Sequence, residues 1–240
     1  MPKTIPHIIH QIWLGPLEPP EHAMESWKKL HPTWEYHLWT EKNLPNLKNQ
    51  QAFDASDNFP QKSDILRYEL LYEYGGIFVD ADEYCLKPID RLLEGFADDI
   101  EVFAAYEGRK GDSSLVANGI MGCIKGGDFI QRLVGGINVD QPGAAWEIVG
   151  PKYLTEMLNK HQPKSHIIPS KAFFPVHHRQ KNKRKISVLE YKDDPDVYGI
   201  QLWGSTNFAY KPHFLKNPIS FLRYWSRRLR GKMFIVTDLE

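Results

Sequence analysis

Apolar residues in this chain fall into short blocks separated by turn-forming residues, and the period within each block predicts its element. Ile8–Leu14 reads as a first strand and is followed by the proline-rich turn Gly15–Pro20. Trp27–Leu30 suggests a helix and Trp34–Trp39 a second strand, with His31-Pro32 between them. The stretch Asn43–Pro60 is polar and irregular, and is expected to hold a short helix and a loop. Beyond it, Ile65, Tyr68, Leu71 and Tyr72 recur at helical spacing, Ser63 is placed to cap that helix, and Gly75 is placed to close it. Ile77, Phe78 and Val79 then read as a buried strand. Further along, Val102–Tyr106 predicts a strand, Arg109–Ser114 an exposed loop, and Phe129–Ile137 and Lys152–His161 helices, the second begun by Pro151 at a favoured first-turn position. A helix closing on glycines and feeding a strand is the grammar of an α/β domain.

The chemistry concentrates in Ser63–Asp90. Asp64 and Arg67 are three residues apart and share a helix face, where a carboxylate can accept from a ribose hydroxyl and a guanidinium can donate to a phosphate or carboxylate. Asp80 and Asp82 follow the strand, and in extended chain residues two apart point the same way. Ligands of open α/β sheets bind at such strand ends. Two hard oxygen donors there suit Mg²⁺ or Mn²⁺, with phosphate oxygens and water completing the shell. An Asp-X-Asp triplet alone is most often a solvated turn, so the weight rests on the whole run.

At 240 residues the chain can bury one substantial core, which makes one catalytic domain the expectation. Lys and Arg number 30 and so do Asp and Glu, so no global field points to nucleic acid, and no recognisable nucleic-acid module is present. Cys85 and Cys123 are the only cysteines, which fits a reducing compartment better than a disulfide framework. The basic cluster His177–Lys185 reads as a solvated loop, with a lid or a contact to an anionic acceptor as its functional alternative. In the tail Phe214–Lys232, Phe221, Leu222, Trp225 and Leu229 recur at near-helical spacing among Arg223, Arg227, Arg228, Arg230 and Lys232. Such a basic amphipathic helix suits either the domain surface or an anionic membrane. His7 and His10 flank the first strand and read as satisfied core or rim groups rather than ligands, and most of the tryptophans as packing.

The run Ser63–Asp90 resembles the signature of the DXD sugar-binding glycosyltransferases, glycosyltransferase family 32, which includes the yeast initiating mannosyltransferase and has kin among the clostridial glucosylating toxins. The resemblance extends to I-P-H-I-I-H-Q-I-W at Ile5–Trp13, N-G-I-M-G at Asn118–Gly122, Gly150-Pro151, I-I-P-S-K-A-F-F-P at Ile167–Pro175 and Y-G-I-Q-L-W-G-S at Tyr198–Ser205. It implies a GT-A type, Rossmann-like fold over residues 1–212, with residues 213–240 as a basic amphipathic tail. The implied activity is a metal-dependent, retaining transfer of a hexose from a nucleoside diphosphate sugar, UDP-hexose first, to a glycan or lipid-linked saccharide. The competing classes are a nucleotide-sugar hydrolase and a non-catalytic nucleotide-sugar-binding protein.

Carried over by resemblance, Trp13 stacks on the donor base, and Asp64 and Arg67 contact the ribose and the sugar or diphosphate. Asp80 touches ribose or metal, Asp82 is the firmest ligand of Mn²⁺ or Mg²⁺, Asn118 lies near the donor sugar, and Trp203 contacts the donor. Phe78 stands where the family commonly has tyrosine, which keeps the ring and loses the hydroxyl. Leu202 stands where the family usually has a metal-binding histidine, so Ser205 is the candidate late ligand, with Gln201 and Asn207 as other oxygen sources. No signal sequence precedes the first strand; against the family's tethered eukaryotic members, the expectation is a cytoplasmic enzyme, bacterial or viral, with a peripheral membrane contact through the tail.

Overall fold

The structure is a computed structural model, and it describes residues 4–96, 99–108, 114–177, 185–204, 218–229 and 235–237. In chain order the elements are β1 (Ile8–Ile12), α1 (Glu21–Leu30), β2 (Glu35–Trp39), α2 (Gln50–Ala55), α3 (Phe59–Tyr74), β3 (Gly76–Val79), β4 (Glu83–Cys85), α4 (Asp90–Glu94), β5 (Val102–Tyr106) and β6 (Val116–Cys123). They continue with α5 (Asp128–Gly135), α6 (Ala145–Ile148), α7 (Pro151–His161), β7 (Ser165–Ile168), β8 (Lys185–Ser187), α8 (Leu189–Lys192), β9 (Gly199–Gln201), α9 (Pro218–Leu229) and β10 (Ile235–Thr237). The chain divides into two compact units, each drawn from separated segments: 1–14, 33–80 and 89–170 form the first, and 15–32, 81–88 and 171–240 the second.

The first unit is a six-stranded sheet in the order β2-β1-β3-β6-β5-β7, with β6 antiparallel to both neighbours and every other pairing parallel. This mixed α/β architecture is the predicted fold class, with β1 and β5 where the apolar blocks placed them. Its pairing is interrupted once: Ala104 lies opposite Met121, but Ala105 lies opposite Ala117, so Asn118, Gly119 and Ile120 are skipped by β5. Bulges of this kind re-aim side chains beside binding sites.

Helix α3 is the core of the unit. Ile65, Leu66, Tyr68, Leu70 and Leu71 are all fully buried, so the helix is covered on every side rather than along one stripe. Sequence periodicity placed its cap at Ser63, which the structure corrects. The cap and the helix start lie five residues earlier, where the Asn58 side chain accepts a hydrogen bond from the Gln61 N–H at 2.9 Å and Pro60 occupies the first turn. At the other end Gly75 and Gly76 have φ of +68° and +89°, and a Cβ on either would fall 2.7 Å from the Lys125 nitrogen or 2.6 Å from the Ile8 oxygen. Only glycine turns the chain this sharply from α3 into β3.

His10 sits at this turn, fully buried. Its Nε2 pairs with the Gly75 carbonyl at 2.9 Å and its Nδ1 accepts from the Trp39 indole at 3.1 Å. Both nitrogens of a neutral imidazole are thereby satisfied, and burial lowers its pKa to about 4. This agrees with its reading as a core group.

The second unit has its own small cores. The Trp27 indole donates to the Glu83 carbonyl at 2.8 Å and the Ser26 hydroxyl accepts from the Cys85 N–H at 2.8 Å, which ties α1 to β4. β4 pairs antiparallel with β9, and β8 pairs parallel with β10. Cys85 and Cys123 are both free thiols, and burial pushes both pKa values up. No described helix is long and apolar enough to cross a membrane.

Candidate functional site

The first unit gathers five of the expected site residues at the end of β3: Asp64, Arg67, Phe78, Asp80 and Asn118. Arg67, on the buried face of α3, lies 3.1 Å from Asp64 Oδ1 and 3.1 Å from Asp80 Oδ1 through the same Nη2. Its Nη1 donates to the Asn118 carbonyl, and its guanidinium lies over the Phe78 ring, 4.2 Å from the centroid. The Asn118 side chain donates to Asp64 Oδ1 at 2.8 Å and reaches the Tyr68 hydroxyl at 3.3 Å. Asn118 lies in the part of β6 that has no residue opposite it in β5.

One cation therefore stands between two carboxylates in a buried setting. Burial pushes the Asp64 carboxyl up to about 7, Asp80 adds to that, and Arg67 and the Asn118 hydrogen bond oppose it. The Tyr68 phenol is raised for the same leading reason. Asp80 is the open member of the group, its side chain 27% exposed against 5% for Arg67 and 10% for Asp64. The backbone fixes it further: its N–H donates to the Gly119 carbonyl at 2.7 Å and its carbonyl accepts from the Gln11 side chain at 3.2 Å. A Cβ on residue 119 would lie 2.5 Å from Asp80 Oδ2, so glycine there leaves the carboxylate its place.

Asp82 belongs to the second unit and is held differently. Its Oδ2 accepts from the Gly204 N–H at 2.6 Å and its carbonyl accepts from the Leu202 N–H at 3.0 Å. Trp203, between those two residues, has a φ of +55°, unusual for a bulky side chain. Its ring is buried near Phe174 and His177, and its indole donates to the Val176 carbonyl at 2.7 Å. Leu202 packs against the two small apolar clusters of this unit, which gives the residue in the family's histidine slot a structural role.

The other candidates are placed as follows. Phe78 is 1% exposed and serves as the platform under Arg67. Trp13 continues the line of β1, half-buried, with its N–H donating to the Trp39 carbonyl at 2.9 Å. Ser205, Asn207 and most of the loops at 109–114 and 177–185 lie outside the described residues. Sequence reading missed Gln11 and Tyr36, where the Tyr36 hydroxyl donates to Gln11 Oε1 at 2.7 Å and Gln11 in turn steadies Asp80. A glutamine between apolar residues of a strand read as buried was the available signal, alongside His10, because a buried amide needs a partner.

Asp80 and Asp82 each offer hard oxygen donors of the kind Mg²⁺ and Mn²⁺ prefer. Among the described residues no group of three or more His, Cys, Asp or Glu side chains could hold an ion, so the protein side supplies at most carboxylate donors of the kind that Mg²⁺ commonly supplements with phosphate and water.

Residues 20–97 match the family described as "glycosyltransferase sugar-binding region containing DXD motif". Inositol phosphoceramide mannosyltransferase 3 of Schizosaccharomyces pombe is 34% identical over 140 residues, which is 55% of this chain and 36% of that protein. Inositol phosphoceramide mannosyltransferase 2 of the same yeast is 27% identical over 238 residues, 86% of this chain and 63% of that protein. The chain thus spans between about a third and two thirds of the length of these relatives. Among solved structures, the ligand-free glycosyltransferase domain of the YGT toxin superposes with a TM-score of 0.52 at 10% identity, covering 69% of this chain and 80% of that one. The PaToxG glycosyltransferase gives 0.50 at 17% identity, covering 65% and 69%. At those identities the likeness concerns the fold, which is of the GT-A type.

Proposed function

For a chain that carries, at residues 20–97, the DXD-containing sugar-binding region of a glycosyltransferase family, we propose a hexosyltransferase that uses a nucleoside diphosphate sugar and a divalent metal. The observation that supports it most is the Asp64–Arg67–Asp80 bridge with Asn118 at the end of β3. A buried carboxylate and a part-buried one locked to one buried guanidinium are costly to assemble and serve a polar ligand better than a core. The yeast relatives are mannosyltransferases by name, which moves a mannosyl donor ahead of the UDP-hexose favoured from sequence, with a phosphoinositol-containing lipid or related glycan as acceptor.

In this reading Arg67 fixes Asp80 and Asp64 in place, so that both meet the donor already oriented. Asp64 accepts from the ribose, Asn118 lies beside the sugar, and Trp13 covers the base. Asp82, steadied by the Gly204 N–H, is the principal metal ligand, Asp80 the second, and Ser205 a third candidate. Mn²⁺ or Mg²⁺ bound there would neutralise charge on the departing diphosphate. The retaining course rests on the family resemblance alone.

The test is a thermal-shift screen of GDP-mannose and UDP-hexoses with and without Mn²⁺, followed by product analysis with and without acceptor. A donor that raises the melting temperature only with metal, and is consumed faster with acceptor, supports the reading. Free hexose released at the same rate regardless of acceptor would make the protein a hydrolase instead.

A further inference from the structure

Charge is balanced over the whole chain but not along it. Residues 197–237 contain seven of the Lys and Arg residues, Lys211, Lys216, Arg223, Arg227, Arg228, Arg230 and Lys232, and no Asp or Glu. Inside this tract lies α9, Pro218–Leu229. Six large apolar side chains are exposed among the described residues, and three of them, Ile219, Leu222 and Trp225, are on this one helix at 64%, 65% and 38% exposure.

Their three-residue spacing places them along one stripe, and helical geometry puts Tyr224 on the opposite side. Tyr224 is 7% exposed, so the helix is seated by that side and turns the stripe outward. Arg223, also exposed, flanks the stripe. The outward face therefore combines apolar anchors, one of them an indole, with Arg223 beside them, in a stretch of sequence that contains no acid. Sequence periodicity alone grouped Leu222 and Trp225 with Phe221 and Leu229 and left open whether such a stripe faced the domain.

We infer that the outward stripe of α9 docks on an anionic lipid bilayer, the helix lying in the headgroup plane with Ile219, Leu222 and Trp225 among the acyl-chain ends. The helix is 12 residues long, too short to span a bilayer and suited to lying on one. The basic tract selects the occupant. A second copy docking through the same helix would bring the two Arg223 side chains together with no acid on either helix to pair them, whereas negatively charged headgroups match them. This inference is independent of the catalytic reading, since it uses none of the residues placed in the candidate site.

The experiment is co-sedimentation of the full chain with phosphatidylcholine vesicles, with and without phosphatidylserine, at low and high salt. Wild-type protein is expected to pellet with phosphatidylserine vesicles at low salt, and to be released by high salt or by omission of the anionic lipid. Ile219→Asp/Leu222→Asp should weaken binding by about tenfold or more, as two apolar anchors become charged. Arg223→Glu, a solvent-facing exchange that tests the charge component should the double variant fail to fold, should weaken it by roughly tenfold. The inference is overturned if wild-type protein ignores phosphatidylserine, if the folded double variant binds as well as wild type, or if sedimentation velocity shows a dimer that the double variant dissolves while vesicles capture nothing.

Discussion

The two acids of the DXD triplet are held in opposite ways. Asp80, just past β3, belongs to a network that joins it through Arg67 of α3 to Asp64 and to Asn118 of β6, at the edge of a large core. Asp82 is held by backbone N–H groups of a short segment in a unit built of three-residue strands. A charged side-chain network is a matter of stability as much as function, because removing one member strands the others in low dielectric. A carboxylate held by main chain can lose its charge and keep its hydrogen bond.

The contrast breaks most visibly at Arg67. Arg67→Ala would leave Asp64 and Asp80 without their shared cation, and stability measured by urea denaturation should fall by about 3–5 kcal/mol, the typical cost of opening a buried pair. An Arg67→Ala variant within ~1 kcal/mol of wild type would show that the network is not structural. Asp82→Asn should do the reverse, with the urea midpoint nearly unchanged and metal-dependent turnover down by about 10²–10³-fold, the range for losing one charge-stabilising group. Normal turnover by that folded variant would remove the metal proposal.

A pH series sharpens the comparison within the first unit. His10, with a folded pKa of about 4 against 6.5 unfolded, contributes stability that is complete above pH 6.5 and is lost as pH falls toward 4. By linkage this amounts to about 3 kcal/mol. Asp64, raised to about 7, runs the opposite way: its protonated form favours folding at low pH, and that contribution declines as pH rises from 3.8 to 7. The difference in stability between wild type and His10→Gln should therefore grow from pH 4 to 6.5, read from urea midpoints. A flat difference would mean that His10 is not the buried neutral group described.

The smallest effect concerns the start of α3. Asn58→Ala should cost about 1 kcal/mol and Ser63→Ala much less, since only Asn58 closes the first turn. Equal costs would restore the cap to Ser63.

That pair also shows where sequence reading succeeded and where it stopped. Helix α3, the glycine stop, β3 and the facing of Asp64 toward Arg67 were legible, because period, capping chemistry and helix geometry all act within a few residues. The start of α3 was misread because Asn58 and Ser63 are both good caps, and Pro60, the discriminating clue, was assigned to the preceding loop. The β6 segment V-A-N-G-I-M-G-C did not announce itself as an eight-residue strand, since its asparagine and two glycines are poor strand formers. Its conformation is imposed by β3 on one side and β5 on the other. Assignment of Asp80 and Asp82 to different compact units was equally out of reach, for it depends on contacts between segments far apart in the chain.

The interruption in the β5–β6 ladder has a consequence for how such a chain could diversify. Ile120 stays paired with Val79 of β3 and the Gly119 carbonyl accepts from the Asp80 N–H, while β5 has no residue opposite 118–120; the Asn118 side chain donates to Asp64 and Tyr68. Exchanging that one residue would change the polar lining beside Asp64 and Tyr68 without rewriting the sheet, so that, on the proposed reading, position 118 is a place where substrate choice could change while the fold stays as it is.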